Sequence, residues 1–276
     1  ERAKISGDAV EECLMGCVLA AGVGQAPARQ ALISGGLPQS VRCTTVNRVC
    51  GSGLKSVMIA AQQIQCGDAE VVIAGGMENM SRAPYLLERA REGYRLGHSK
   101  VIDSMVQDGL WDVYKNVHMG DCAELCASEK KFSRAEQDEF AIKRYQKAQE
   151  AMKSGKFKRE IIGIEAKVGK EKKMIDADEE PFRAKLDQFG TLKPAFKKDG
   201  TVTAANASSL SDGAAAVVLA SKEFVEKHKL KPIARVVGQA SFAQAPEWFT
   251  TAPVGAVQSL VKKTGKNVGD IDLFEI

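Results

Sequence analysis

The segment from Val41 to Ile64 constrains the fold most. A β-type run, Val41-Arg-Cys-Thr-Thr-Val46, gives way within a few residues to a helix-type run carrying Leu54, Val57, Met58, Ala61 and Ile64. Between them lies Cys50-Gly-Ser-Gly53, where only small residues follow the cysteine. Glycine turns tightly and leaves space above the sulfur. A thiol at a helix N-terminus also faces unpaired N–H groups and the positive end of the macrodipole, which favours its thiolate. That is one way to present a nucleophile. A buried cysteine packed into a strand-to-helix crossing has the same local pattern. On local pattern alone the two readings are balanced.

Around this corner, strand-like and helix-like runs alternate. Cys13-Leu-Met-Gly-Cys-Val-Leu19 reads as a strand, and Pro27 to Ser34 as a short helix with proline at its start and Gly35 as its stop. The strand before Cys50, the helix after it and a strand at Glu70–Ala74 complete a βαβ progression, which predicts a sheet covered by helices. The rhythm breaks at Ser81. One helix is well marked beyond it: Ser133-x-x-Glu136 is a capping box, Ala141, Tyr145, Ala148 and Met152 form a stripe, and Gly155 ends it. The charged stretch 165–181 predicts a solvated loop or hairpin. Strand patterns return at Gly213–Ala220 and Ile233–Val237, followed by a helix at Val254–Lys263 and an apolar run at Ile271–Ile276.

Composition narrows the function classes. With 276 residues and 44% hydrophobic, the chain suggests two domains with a buried core. No apolar run approaches the ~20 residues of a membrane span. The seven cysteines are an odd number and lack the dense framework of a small secreted domain, which predicts reduced thiols. Cys13/Cys17 and Cys122/Cys126 have no further His or Cys at ligand spacing, so core packing is read for all four in place of a zinc site. Cys43 and Cys66 are also assigned to packing. Residues 143–200 hold sixteen Lys/Arg against ten Asp/Glu, although the whole chain carries only +4. A basic segment suits a polyanionic ligand or a solvated surface. Nucleic acid is disfavoured by 6% aromatics and the lack of a recognition motif.

The motifs then fall into a recognisable order. Asn47-x-x-Cys50-x-Ser52-Gly53 and Val71-Val-Ile-Ala-Gly-Gly-Met77-Glu-Asn-Met-Ser81 resemble the thiolase family, the biosynthetic acetyl-CoA acetyltransferase type in particular. The likeness continues through Gln25-Ala-Pro-Ala-Arg-Gln30, Asp108-Gly-Leu110, Val117-His-Met-Gly120, Gly200-Thr-Val-Thr-Ala-Ala-Asn-Ala-Ser208 and Asp212-Gly-Ala-Ala-Ala216. The resemblance implies an α/β thiolase-like fold: two similar halves of mixed five-stranded sheet, with a large CoA-binding loop domain inserted in the first. On that pattern, residues 1–80 and 210–231 are the N-terminal half, 81–209 the insertion, and 232–276 the opening of the C-terminal half.

It further implies an acyltransferase that interconverts two acetyl-CoA with acetoacetyl-CoA plus CoA through an acetyl-cysteine. Cys50 is then the acyl-thioester nucleophile. His118 and Met119 shape the substrate pocket, with Leu110 and Phe196 as apolar walls. Arg183, Ala184, Lys185 and Ser208 meet CoA. Gln188 stands where potassium-dependent relatives have lysine, so that contact is not carried over. Tyr145 with Ala204, Ala205 and Ala207 matches a potassium site, against ordinary packing of Tyr145 on its helix stripe. His98 and His228 lack such context and are expected to be exposed. No bound cofactor is required; CoA, acetyl-CoA and acetoacetyl-CoA are substrates. Homodimers or homotetramers are expected, with pairing through about Val41–Val46. No nucleic-acid or membrane partner is expected, and an intracellular setting, cytoplasmic ahead of mitochondrial or peroxisomal, is read. A degradative 3-ketoacyl-CoA thiolase and a non-catalytic CoA-binding subunit are the alternatives. Thiolases also use a Gly-His-Pro histidine, a Cys-x-Gly cysteine and an Asn-Glu-Ala-Phe segment, none of which occurs here. The expectation is therefore a chain truncated at both ends and inactive alone.

Overall fold

The computed structural model describes residues 2–276. The described residues divide into two compact units, 2–116 with 210–276, and 117–209. The first is built on a four-stranded mixed sheet. Strand β1 (Glu12–Gly16) lies between β2 (Arg42–Val46) and β3 (Val71–Asn79), parallel to both. The strand Asp212–Ala220, β4, adds antiparallel to the outer side of β3. Helix α1 (Pro27–Ser34) links β1 to β2, and α2 (Ser52–Cys66) links β2 to β3.

The two-residue period of the strands sorts their side chains between two cores. Cys13, Met15 and Val71 pack with Ala28 and Leu32 of α1, Val41 and Phe224. Leu14, Val72 and Ala74 pack on the other face with Ala60 of α2 and Ala69. Parallel strands covered on both faces read as near-continuous apolar runs, which is why β1 and β3 look alike in sequence. Full burial of side chains such as Leu14 and Val71 contributes roughly 1.5–3 kcal/mol each.

The strand expected at Cys13–Leu19 ends at Gly16. Beyond it, the Val18 and Leu19 amides donate to the Glu78 carboxylate at 2.9 and 3.0 Å, which draws the chain off the sheet. The strand expected at Glu70–Ala74 runs on to Asn79, because β4 pairs along its whole length from Ala220↔Val71 to Asp212↔Asn79. Gly75 belongs inside that ladder: a Cβ there would overlap the Ala215 carbonyl oxygen. At the end of the ladder the Asp212 carboxylate accepts from both the Ser81 amide, at 3.0 Å, and its hydroxyl, at 2.5 Å. These bonds hold the Asp212 carboxyl below its ordinary range.

Ile233–Val237 is not a strand. Ile233 is fully exposed and the segment pairs with no described strand, and a strand exists only through its ladder. The late helix runs from Ala252 to Thr264. The Ile271–Ile276 run is irregular and mostly exposed.

The second unit contains α3 (Met119–Lys130) and α4 (Arg134–Lys153). The Ser133 capping box forms in both directions, with Glu136 Oε2 accepting from the Ser133 amide at 2.8 Å and Ser133 Oγ accepting from the Glu136 amide at 3.2 Å. The stretch read as loop or hairpin is a hairpin, Ile164–Val168 against Glu171–Ile175, turned at Gly169 with φ +65°. Among the described residues no helix is long and apolar enough to cross a membrane.

All seven cysteines are unbridged. Cys13, Cys17 and Cys122 are buried and Cys43 and Cys126 half-buried, as packing residues should be, but Cys66 is exposed at the last position of α2. Burial pushes the Cys13 thiol up from about 9 to about 11, with the neighbouring Cys43 and Glu12 acting in the same direction. The folded state therefore favours the neutral thiol. That contribution is fully present below the unfolded value and is lost as pH rises through about 11. Urea unfolding across alkaline pH should show this decline in the unaltered chain and a shallower one in Cys13→Val; equal slopes would contradict it.

Candidate active site

In the first unit, Asn47 to Gly51 make the turn from β2 into α2. Val49 has φ +48°, in the left-handed region that a β-branched residue rarely occupies. Cys50 follows it, exposed, and α2 begins two residues later. Of the two exposed cysteines among the described residues, Cys50 precedes the first turn of this helix and Cys66 closes its last. Only Cys50 therefore meets the positive end of the macrodipole.

The start of α2 lies against bare backbone. A Cβ on Gly16 would stand 2.6 Å from the Gly53 nitrogen and 2.7 Å from the Ser52 Cβ, and one on Gly76 would stand 3.2 Å from the Gly53 Cα. Three glycines on β1, β3 and α2 thus let the helix seat on the sheet at the height of Cys50. Ser52 is buried in this contact and bonds both the Arg48 amide and the Val49 carbonyl. Farther along the chain, Ser241 accepts from the Arg48 guanidinium at 3.0 Å. Leu110, expected as a pocket wall, ends a single π-turn at Val106–Leu110 and is half-buried.

In the second unit, His118 is the N-cap of α3. Its Nδ1 accepts from the Gly120 amide at 3.0 Å, while Asp121 Oδ2 accepts from its own amide at 3.1 Å. With Nδ1 an acceptor, the imidazole proton resides on Nε2. The ring stacks on Phe196 at 4.8 Å, and Phe196 lies over Gly120 so closely that no Cβ would fit there. His118, Phe196 and the half-buried Met119 at the next position are thus fixed near one helix start.

The loop Gly200–Ser208 is held by two acids that looked in sequence like ordinary helix-surface residues. Glu124, 7% exposed, accepts from the Thr201 amide at 2.8 Å and the Val202 amide at 2.7 Å. Asp138, 6% exposed, accepts from Asn206 Nδ2 at 2.9 Å, and Asn206 Oδ1 accepts from the Thr203 amide at 2.7 Å. Ser208 emerges exposed from this clamp, with Ala205 and Ala207 half-buried and Ala204 exposed. Tyr145 donates to Glu180 at 3.1 Å and meets the Phe189 ring edge-on at 5.5 Å. Burial and the Glu180 carboxylate push its hydroxyl pKa up. Arg183 is engaged by Glu179, while Lys185 and Gln188 are exposed and Ala184 half-buried. His98 and His228 are exposed, the latter stacked on Phe224.

Residues 1–223 match the family model described as the thiolase N-terminal domain. The chain belongs to the thiolase family. Acetyl-CoA acetyltransferases of Schizosaccharomyces pombe and Yarrowia lipolytica are similar at 45% and 47% identity, over 100% of this chain and 70% and 69% of theirs. Among solved structures, the Acat5 thiolase of Ascaris suum in complex with coenzyme A superposes with a TM-score of 0.92 at 40% identity, over 98% of this chain and 69% of that one. The Bacillus anthracis acetyl-CoA acetyltransferase gives 0.93 at 36% identity, over 98% and 68%. The mixed sheet is therefore that of the thiolase fold, of which the described residues supply four strands. For this thiolase, the motif around Cys50 acquires a structural meaning: its asparagine and serine, Asn47 and Ser52, both bond the backbone of Val49.

Proposed function

We propose that this chain is an acetyl-CoA acetyltransferase acting through Cys50, interconverting two acetyl-CoA with acetoacetyl-CoA and CoA. The observation that carries the reading is the position of Cys50, exposed after a left-handed residue and before the positive end of α2. The likeness to acetyl-CoA acetyltransferases along the whole chain supports it.

In the synthetic direction the Cys50 thiolate attacks the carbonyl carbon of acetyl-CoA. The carbon–sulfur bond to CoA breaks, CoA leaves as its thiolate, and the acetyl group stays on Cys50 as a thioester. The α-carbon of a second acetyl-CoA, its proton passing through a general base to the departed CoA thiolate to give CoA, then attacks that acetyl carbonyl. The new carbon–carbon bond forms as the bond to Cys50 breaks, releasing acetoacetyl-CoA and the free thiolate. In the second unit, His118 offers Nε2–H to the substrate from a ring held by Gly120 and Phe196, with Met119 as an apolar contact. Ser208, Ala184 and the cationic Arg183 and Lys185 contact CoA. Guanidinium and ammonium groups suit its phosphates, and an arginine plane suits its adenine.

Incubation with acetyl-CoA should leave an acetyl group on the Cys50 peptide and on no other cysteine peptide by mass spectrometry. Label on Cys43 or Cys66 instead would overturn the assignment. Cys50→Ser should lose the thioester and at least several orders of magnitude of turnover in the assembled enzyme, while retaining CoA binding.

We further propose a potassium site in the second unit. Asp138 and Tyr145 lie seven residues apart on one face of α4, and Asp138 ties that face to the Thr201–Asn206 loop. Tyr145 Oη and the carbonyls of Ala204, Ala205 and Ala207 are all-oxygen donors, which suit a hard cation. Potassium chloride should raise the melting temperature above that in equal sodium chloride, and Tyr145→Phe should reduce the difference; identical curves would exclude the site.

The enzyme is further read as a homodimer or homotetramer paired through β2. This strand bonds β1 on one side only and leaves an edge rich in valine and threonine. Sedimentation velocity at micromolar concentration should show a species larger than a monomer. A well-folded monomer in the unaltered protein would contradict this reading.

A further inference from the structure

One hydroxyl closes the corner that carries Cys50. Ser52 is 4% exposed, and its Oγ accepts from the Arg48 amide at 2.8 Å and donates to the Val49 carbonyl at 2.6 Å. The Ser52 amide donates to the same carbonyl at 3.1 Å. Ser56, wholly buried, anchors this residue in turn, its hydroxyl donating to the Ser52 carbonyl at 3.1 Å. On the other side of Val49, the Asn47 side-chain oxygen accepts from the Val49 amide at 3.0 Å. These bonds converge on the one residue of the corner whose backbone is unfavourable, a valine at φ +48°. A β-branched side chain resists that conformation, which persists only where its surroundings over-determine it.

We infer that Ser52 is the positioning residue for the Cys50 thiol, acting by holding Val49 in the left-handed conformation that sets the direction of the next side chain. The inference rests on the reading of Cys50 as the acyl carrier. Only a group that accepts and donates at once can serve here, since the Arg48 amide and the Val49 carbonyl present opposite needs. Gly16 leaves room for no larger side chain, with a Cβ there 2.7 Å from that of Ser52. In Ser52→Ala the Arg48 amide loses its hydroxyl partner and the Val49 carbonyl keeps only the amide of residue 52, so Val49 gains by relaxing toward an extended conformation. That relaxation swings Cys50 away from the end of α2.

The test measures alkylation of Cys50 by iodoacetamide across a range of pH, read peptide by peptide so that the exposed Cys66 is an internal control. Ser52→Ala should slow Cys50 alkylation by about tenfold to a hundredfold and alter its pH–rate profile, with Cys66 unchanged. Adding Val49→Gly should recover most of the lost rate, because glycine holds positive φ without the penalty. An unchanged Cys50 profile in folded Ser52→Ala, or no recovery in the double variant, would overturn the inference. Should Ser52→Ala fail to fold, the comparison is made in the Val49→Gly background, where adding Ser52→Ala should leave the Cys50 rate nearly unchanged and a loss of about tenfold overturns the inference. Alkylation requires no CoA. Failure of the acyl-transfer reading would instead show as absence of acetyl label on Cys50 in the unaltered chain, whatever the alkylation rates.

Discussion

The contact on which the site depends is made by atoms that are missing. Where α2 meets the sheet, Gly16, Gly53 and Gly76 present backbone to backbone, with a Cβ on Gly16 only 2.6 Å from the Gly53 nitrogen. Helices normally ride on a sheet over a layer of side chains. Removing that layer at one end lowers the first turn of α2 onto β1 and β3 while its remainder still packs through Ala60, Val57 and Ile64. The cysteine before the helix is thereby held at the C-terminal ends of the parallel strands, where open α/β sheets place their ligands. Glycine in a strand costs stability, and here that cost is accepted for proximity.

The second unit uses a different device. Its Gly200–Ser208 loop is held by buried carboxylates. Glu124 takes two consecutive backbone amides, Asp138 takes Asn206, and Asn206 closes the turn on Thr203. Charge-assisted bonds of this kind are short and directional, so they fix a backbone that packing alone would leave loose. His118 follows the same principle, its ring fixed by the backbone amide of the helix it caps.

Much of this was legible in the sequence. The corner at Cys50 was marked by the change of hydrophobic period across two glycines. The helices Pro27–Ser34 and Arg134–Lys153 carried their own start and stop signals in Pro27 and the Ser133 box. What escaped depends on distant partners. Gly75-Gly76 looked like the end of a strand, yet β4, more than a hundred residues later, carries β3 to Asn79. Glu124 and Asp138 sit in helices rich in charge, and nothing local distinguishes a buried acid whose partner lies 77 or 68 residues away. Ile233–Val237 had strand composition but found no ladder, because composition supplies side chains and not neighbours. Asn47 and Ser52 belong to the motif around Cys50, but that both bond Val49 emerges only in the folded chain.

The clasp between Ser81 and Asp212 bears on how such a chain can diversify. It ties together two points 131 residues apart in sequence, just where β3 and β4 finish their pairing. Everything between them begins and ends at one fixed gate, so the sheet registers only that the excursion returns and not how long it is. Closing a longer loop costs only about 0.6 kcal/mol for each doubling of its length. Segments within 81–209 can therefore lengthen, shorten or be replaced at little thermodynamic expense to the frame that holds Cys50. Whatever that excursion carries is free to drift while the thiol and its strained corner stay as they are.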